Sequence, residues 1–233
     1  ESLEQYAEVQ ETAVGVRDAA LSAIARKLGG DLLIVNPTSF ARNDLAFWPE
    51  QLAAGQCLRC EDSTSIPTQP TADGTWIAAG ELPPFSVTPL AVVEAKAPPV
   101  NTNLTVTPTL LENDHLRVEL NDDGDIIRVY DKANQREVLP AGTIANQFQA
   151  FEDRPLTFDA WDVDIFYDDK MWTAAPAVSV QVVEYGPLRA TLEVRRRILH
   201  SEIVQRILLA YNSPRLDFDT SVDWQERCIL LKV

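Results

Sequence analysis

Only two histidines, His115 and His200, occur in 233 residues, and neither has an acidic residue at a recognised ligand spacing. A chain so short of imidazole is poorly equipped to hold a catalytic metal by itself. Cysteine is nearly as scarce. Cys57, Cys60 and Cys228 cannot all pair within one chain, which makes a reducing cytoplasm the simplest compartment. Cys57-x-x-Cys60 is half of a zinc or redox signature, but no second pair exists, so both cysteines read as structural. There is no apolar run of the ~18 residues that a membrane span needs. Positive charge is short too, with 20 Lys and Arg against 35 Asp and Glu and a formal net charge of −15. Such a balance repels phosphate backbones and anionic lipid headgroups, so neither nucleic acid nor membrane is expected as a partner. A neutral ligand such as a carbohydrate is not excluded, and solubility alone also accounts for the acidity. The chain contains no Gly-x-Ser-x-Gly elbow, P-loop or dinucleotide fingerprint, and no internal repeat.

What is present is ordinary globular composition, 45% hydrophobic and 24% charged, enough for one large or two smaller domains. Apolar residues at Leu3, Tyr6, Val9, Ala13, Val16, Ala20, Ile24 and Leu28 recur at spacings of three and four, which predicts one amphipathic helix ended by Gly29-Gly30. No second helix of similar length follows, so the partners of this stripe are expected upstream. Short β-rich runs then alternate with turn residues at 32–35, 45–48, 56–60, 75–78 and 85–94, the pattern of a small all-β unit. Residues 95–103, with Pro98-Pro99, read as an extended connector.

Beyond it the strand signals lengthen: 115–120 and 126–130 around an Asp122-Asp-Gly-Asp125 hairpin turn, then 178–184, 188–199, 203–211 and 216–224. The dividers of the last four are Gly186-Pro187, His200-Ser201 and Asn212-Ser213-Pro214. Long antiparallel strands without intervening helices imply a large β-sandwich. The fold class is therefore mainly β, with one helix over 1–28, a small β-domain over 29–97 and a large antiparallel β-sandwich over 98–233. Because the chain starts at Glu1 and stops in an apolar strand-like run, Cys228 to Val233, it reads as an excised piece with the last domain incomplete.

The stretch Phe151 to Tyr167 stands apart, with four aspartates and a glutamate among five aromatics. Carboxylates accept hydrogen bonds from hydroxyl groups and aromatic rings cover the C–H face of a pyranose, so this mixture suits a sugar. Its aspartates could also act as an acid and base pair of the glycosidase kind. A structural alternative is that Asp153, Asp159 and Asp162 cap turns while Phe158 and Trp161 fill core. Asp162 and Asp164 would share one face of a strand and Trp161 the other, so joint contact with a ligand requires a loop or bulge. Arg195-Arg-Arg197, on a presumed strand, should send its middle residue to the opposite face and pair with carboxylates.

Leu111-Glu-Asn-Asp-His-Leu-Arg-Val118, Tyr130-Asp-Lys132, Phe151 to Tyr167, and Val222-Asp-Trp-Gln-Glu-Arg227 with Leu230-Leu-Lys-Val233 resemble α-mannosidases of glycoside hydrolase family 38. Phe158-Asp-Ala-Trp-Asp-Val163 is especially similar to the cytosolic and vacuolar branch. The likeness departs at Phe158 and Gln225, where a tryptophan and a histidine are expected. It implies a retaining, metal-dependent enzyme whose catalytic domain precedes Glu1 and carries the zinc and the nucleophile, so no catalytic residue and no metal ligand is expected here. Residues 1–28 would be the last helix of a helical bundle, and Asn36-Pro37 the entry to the first β-domain. It further implies that Asp159, Trp161 and Asp162 help close a sugar pocket for an α-mannoside or oligosaccharide, with oligomerisation left open. The competing class is a stand-alone carbohydrate-binding or scaffolding β-module.

Overall fold

A computed structural model describes residues 2–95, 102–158 and 161–233, in two units, Glu1–Pro99 and Val100–Val233. The first unit opens with α1 (Ser2–Leu28), where the apolar spacing places it. Gly29 and Gly30, at φ +73° and +89°, end it in left-handed backbone that a side chain resists. None of its described residues is buried, so the apolar stripe covers nothing among the described residues. The sequence pattern sets the helix, while its burial depends on partners.

Seven strands follow: β1 (Leu32–Asn36), β2 (Ala46–Trp48), β3 (Gln56–Arg59), β4 (Ser65–Ile66), β5 (Thr68–Thr71), β6 (Gly74–Ile77) and β7 (Ser86–Glu94). They form a four-stranded sheet, β1-β7-β3-β4, and a three-stranded one, β2-β6-β5. Ile34, Leu58, Ile66 and Leu90 of the first sheet pack with Ile77, Ala46 and Trp48 of the second. Asn36, at the end of β1, is buried, and its amide donates to the carbonyls of Phe40 (2.9 Å), Leu82 (3.1 Å) and Pro83 (2.8 Å). One side chain thus ties together carbonyls from two loops, of which that of Leu82 also accepts from the Arg42 N–H (3.0 Å).

The second unit contains β8 (Thr105–Thr107), β9 (Leu110–Glu112), β10 (Leu116–Leu120), β11 (Ile126–Asp131), β12 (Arg136–Glu137), β13 (Gln149–Glu152), β14 (Met171–Thr173), β15 (Ser179–Tyr185), β16 (Arg189–Ile198), β17 (Ser201–Ala210), β18 (Leu216–Asp223) and β19 (Ile229–Lys232). They make three sheets, ordered β12-β11-β10-β9-β8, β15-β16-β17-β18 and β14-β13-β19, all antiparallel. Alternation gives the long hairpin β16–β17 one inward face, with Ala190, Leu192, Val194 and Ile198 from one strand and Ile203, Ile207 and Leu209 from the other, all buried. Leu192, Val194, Ile207 and Leu209 meet Leu111, Val118, Leu120 and Ile126 of the five-stranded sheet. Ile198 and Ile203 meet Phe148 and Ala150, with Trp172, Ile229 and Leu231 packed around them. One long sheet is therefore covered end to end by two smaller ones, a β-sandwich built on the apolar phase of β16 and β17. Fully burying an aliphatic side chain of this kind contributes about 1.5–3 kcal/mol, so Ile207→Ala, which also leaves a cavity, costs about 2–5 kcal/mol.

The turn of that hairpin is Leu199-His200, because Ile198 pairs with Ser201 and Ser201 already belongs to β17. This corrects the expected divider His200-Ser201. The Ser201 hydroxyl donates to Glu226 (2.9 Å) and accepts from the Gln225 N–H (2.9 Å), which keeps it buried in the strand. No helix among the described residues is long and apolar enough to cross a membrane.

Candidate functional site

Strand β13 hands over to β14 through the long connection 153–170, which carries a 3-10 helix of its own over Ile165–Asp169. The strands on either side are in tight register, Ala150 opposite Trp172 and Phe151 opposite Met171. At the foot, the Asp153 N–H donates to the Cys228 carbonyl (2.8 Å) and the Glu152 N–H to that of Lys170 (3.1 Å). Arg154 and Lys170 both approach the Glu152 carboxylate, at 3.3 and 3.4 Å. The Oδ1 atom of Asp153 is buried without a hydrogen-bond partner among the described residues, an unmet acceptor at the root of the loop.

Further out the chain turns on itself. Phe158 has φ +58°, rare for a bulky side chain, and its carbonyl accepts from the N–H groups of Trp161 (2.7 Å) and Asp162 (3.0 Å). The return limb is a short 3-10 helix, Ile165–Asp169, started by the Tyr167 N–H donating to the Asp164 carbonyl (3.0 Å). Leu156, Phe158, Trp161, Val163, Ile165 and Phe166 are all exposed, Leu156 by 90% and Trp161 by 93%. So many large apolar side chains on one loop of an acidic protein form the kind of surface that meets another molecule.

Of the sequence candidates, Trp161 and Asp162 come together beyond this turn, both exposed. Asp159 lies outside the described residues. The structural alternative, in which Phe158 and Trp161 fill core, is overturned: neither side chain is buried, because the loop leaves the sandwich at Asp153 and rejoins it at Lys170. Nor does a strand carry Asp162 and Asp164, so the joint approach of ring and carboxylate that required a loop has one. The Asp162 carboxylate is exposed and, with no ion pair among the described residues, can accept from hydroxyl donors. Tyr167 and Lys232, on which the loop rests, escaped the sequence reading. The only signal was their place inside the two motifs of the resemblance, since hydrophobic period says nothing about a tyrosine in a 3-10 turn.

Several titratable groups elsewhere are engaged in structural contacts. The side chains of Arg117 and then Arg128 hold the Glu119 carboxyl below its ordinary range (2.6 and 2.9 Å), and the Asn134 side chain and N–H do the same to Asp131. Burial pushes the Cys60 thiol up, which suits a structural cysteine rather than a nucleophile. All three cysteines are free. A hollow of about 330 Å³ opens beside His115, Leu116, Val129, Arg136, Pro214 and Leu216, where Asp131 is already taken by Asn134 and Arg136. Among the described residues no three His, Cys, Asp or Glu side chains converge as a metal ligand set.

Comparison with known proteins bears on this arrangement. Residues 111–233 match the family of the glycosyl hydrolases family 38 C-terminal domain. Alpha-mannosidase G of Dictyostelium discoideum is 31% identical over 129 residues, 53% of this chain and 12% of that protein. Alpha-mannosidase 2C1 of Mus musculus is 27% identical over 238 aligned positions, covering 100% of this chain and 22% of that protein. The crystal structure of an alpha-mannosidase from Enterococcus faecalis V583 superposes with a TM-score of 0.65 at 12% identity, covering 85% of this chain and 30% of that one, a likeness of fold. The chain thus spans less than a quarter of the length of the curated relatives it matches.

Proposed function

Because this chain belongs to glycosyl hydrolases family 38 and carries its C-terminal domain, we propose that it is the non-catalytic β-region of an α-mannosidase, and that loop 153–170 helps close the sugar pocket formed by the rest of that enzyme. The observation that carries this reading is the loop's exposure: Trp161 and its apolar neighbours turn outward together with the exposed Asp162. In the closed pocket, the Asp162 carboxylate accepts hydrogen bonds from mannose hydroxyls and Trp161 walls the sugar, while the other apolar residues seat the loop on its neighbour. Asp159 is proposed as the alternative acceptor.

The reaction itself belongs to groups outside this chain. A zinc ion of the kind the family resemblance implies, held by residues outside this chain, would polarise the substrate there. What this region contributes is orientation and the exclusion of water. A cytoplasmic setting fits the three free cysteines, which need no oxidising compartment.

The test is kinetic. In the full-length enzyme, losing a charge-assisted hydrogen bond worth about 1.5–3 kcal/mol lowers kcat/KM about ten- to hundredfold. Asp162→Asn should therefore cost that much on an aryl α-mannoside, and Trp161→Ala should raise KM. Undiminished turnover in both variants removes the loop from the pocket and leaves a scaffolding β-module.

A further inference from the structure

Of the described residues from 156 to 170, only Asp164 and Tyr167 are not exposed. Tyr167 is therefore the one large side chain of that segment that turns back to the protein. Its ring meets Phe151 of β13 edge-on, with centroids 5.4 Å apart and planes at 66°. Its hydroxyl accepts a hydrogen bond from Lys232 Nζ of β19 at 2.6 Å. The same ammonium lies 4.1 Å from the Tyr167 ring centroid and 4.9 Å from that of Phe151. β13 and β19 are neighbours in one sheet, with Gln149 opposite Lys232 and Phe151 opposite Leu230. The phenol is thus held at its edge by one strand and at its oxygen by the next, which fixes both its place and its tilt. The outgoing limb has a backbone tie at Asp153, and among the described residues no comparable side chain anchors its tip.

We infer that Tyr167 and Lys232 form a latch on the outer face of the three-stranded sheet that sets where Trp161 and Asp162 stand, which makes them positioning residues for the pocket. The link to substrate rests on the function proposed above, whereas the latch rests on geometry alone. Lys232 acts through the phenol and the Phe151 ring it packs on, and among the described residues no hydrogen bond or ion pair joins it to Trp161 or Asp162. Tyr167 acts through the short helix it belongs to, five residues after Asp162.

Two measurements on the full-length enzyme separate these levels. The first is amide hydrogen exchange at Trp161, Asp162 and Tyr167. Tyr167→Ala should speed it about tenfold while β13 and β14 keep their protection. Tyr167→Phe and Lys232→Met, which leave the ring packing in place, should give smaller increases, and Lys232→Arg should restore the native rate. The second is a double-mutant cycle on an aryl α-mannoside. Asp162→Asn should cost about ten- to hundredfold in the native background and little once Tyr167 is alanine, because an acceptor already out of place has nothing left to lose. Lys232→Met serves the same cycle where Tyr167→Ala does not fold. Exchange rates unmoved by every variant overturn the latch. Full additivity in the cycle overturns the positioning role. Faster exchange combined with a silent Asp162→Asn keeps the latch and sinks the sugar-pocket reading instead.

Discussion

Arg196 and Asp125, far apart in sequence, form an ion pair at 2.9 Å in which the guanidinium is 4% exposed. The same arginine donates to the Gly124 carbonyl at 2.8 Å. It faces inward from β16 between the apolar cluster around Leu192 and the one around Ile198, and so ties the β10–β11 turn to the long sheet. The expectation that the middle of Arg195-Arg-Arg197 points away from its neighbours holds, and the reason it can be buried is this ready-made set of acceptors. Arg196→Met strands a partly buried carboxylate and a carbonyl. The expected cost is about 3–5 kcal/mol, read from the shift of the urea unfolding midpoint.

Gly124 occupies the same turn at φ +76°, and a Cβ there would stand 2.9 Å from Val194 Cγ1, 3.0 Å from Ala177 Cβ and 3.1 Å from an Arg196 nitrogen. Both backbone and space require glycine. Gly124→Ala is expected to destabilise by more than about 1 kcal/mol, whereas Gly142→Ala, equally left-handed but with nothing within 4 Å, pays only the backbone strain. Thermal unfolding of the two variants side by side tests the difference.

Glu193 lies on the opposite face of β16, nearly buried between Arg206 (3.1 Å) and Arg195 (2.9 Å). Burial works to raise its carboxyl, and the hydrogen bonds from Arg206 and Arg195 more than reverse this and leave it below the ordinary glutamate range. A carboxyl lower in the folded than in the unfolded state stabilises while ionised. That contribution is complete above the unfolded value of about 4.3 and is lost as pH falls through the folded one. Glu193→Gln should therefore flatten the acid limb of stability against pH, measured as the urea midpoint between about pH 6 and 3.

The stripe on α1 is exposed, so charging it should do little to this chain. Val9→Lys and Val16→Lys are expected to change its stability by no more than about 0.5 kcal/mol and to improve its solubility. A large loss in thermal unfolding would show that the helix is packed in solution after all.

The legible elements were those whose own side chains announce them. Leu116 to Leu120 alternates and turns at Asp122–Asp125 into β11, and the Asn121 N–H donating to Asp125 (3.0 Å) closes that hairpin as expected. α1 was equally plain from its spacing, although its burial was not. By contrast, β13 and β14 carry no clean alternation, and β19 shows only as an apolar strand-like run whose partner the sequence does not name. They exist because Ala150, Trp172 and Leu231, brought from distant parts of the chain, share one face over Ile198 and Ile203, a relationship no local window contains. Within the loop, residue types suggest a sugar-facing surface, and the family resemblance singles out Asp159, Trp161 and Asp162. The exposure of Trp161 and Asp162, and the hold that Lys232 has on Tyr167, depend on the pairing of β13 with β19 and could only be seen in three dimensions.

The most direct test of the account is the crystal structure of the full-length enzyme with a mannose-like inhibitor bound. The account predicts an Asp162 carboxylate oxygen about 2.5–3.2 Å from a sugar hydroxyl, with the Trp161 ring against the sugar and Tyr167 still on Lys232. A loop packed away from the inhibitor, with Asp162 bonded only to protein, would contradict it.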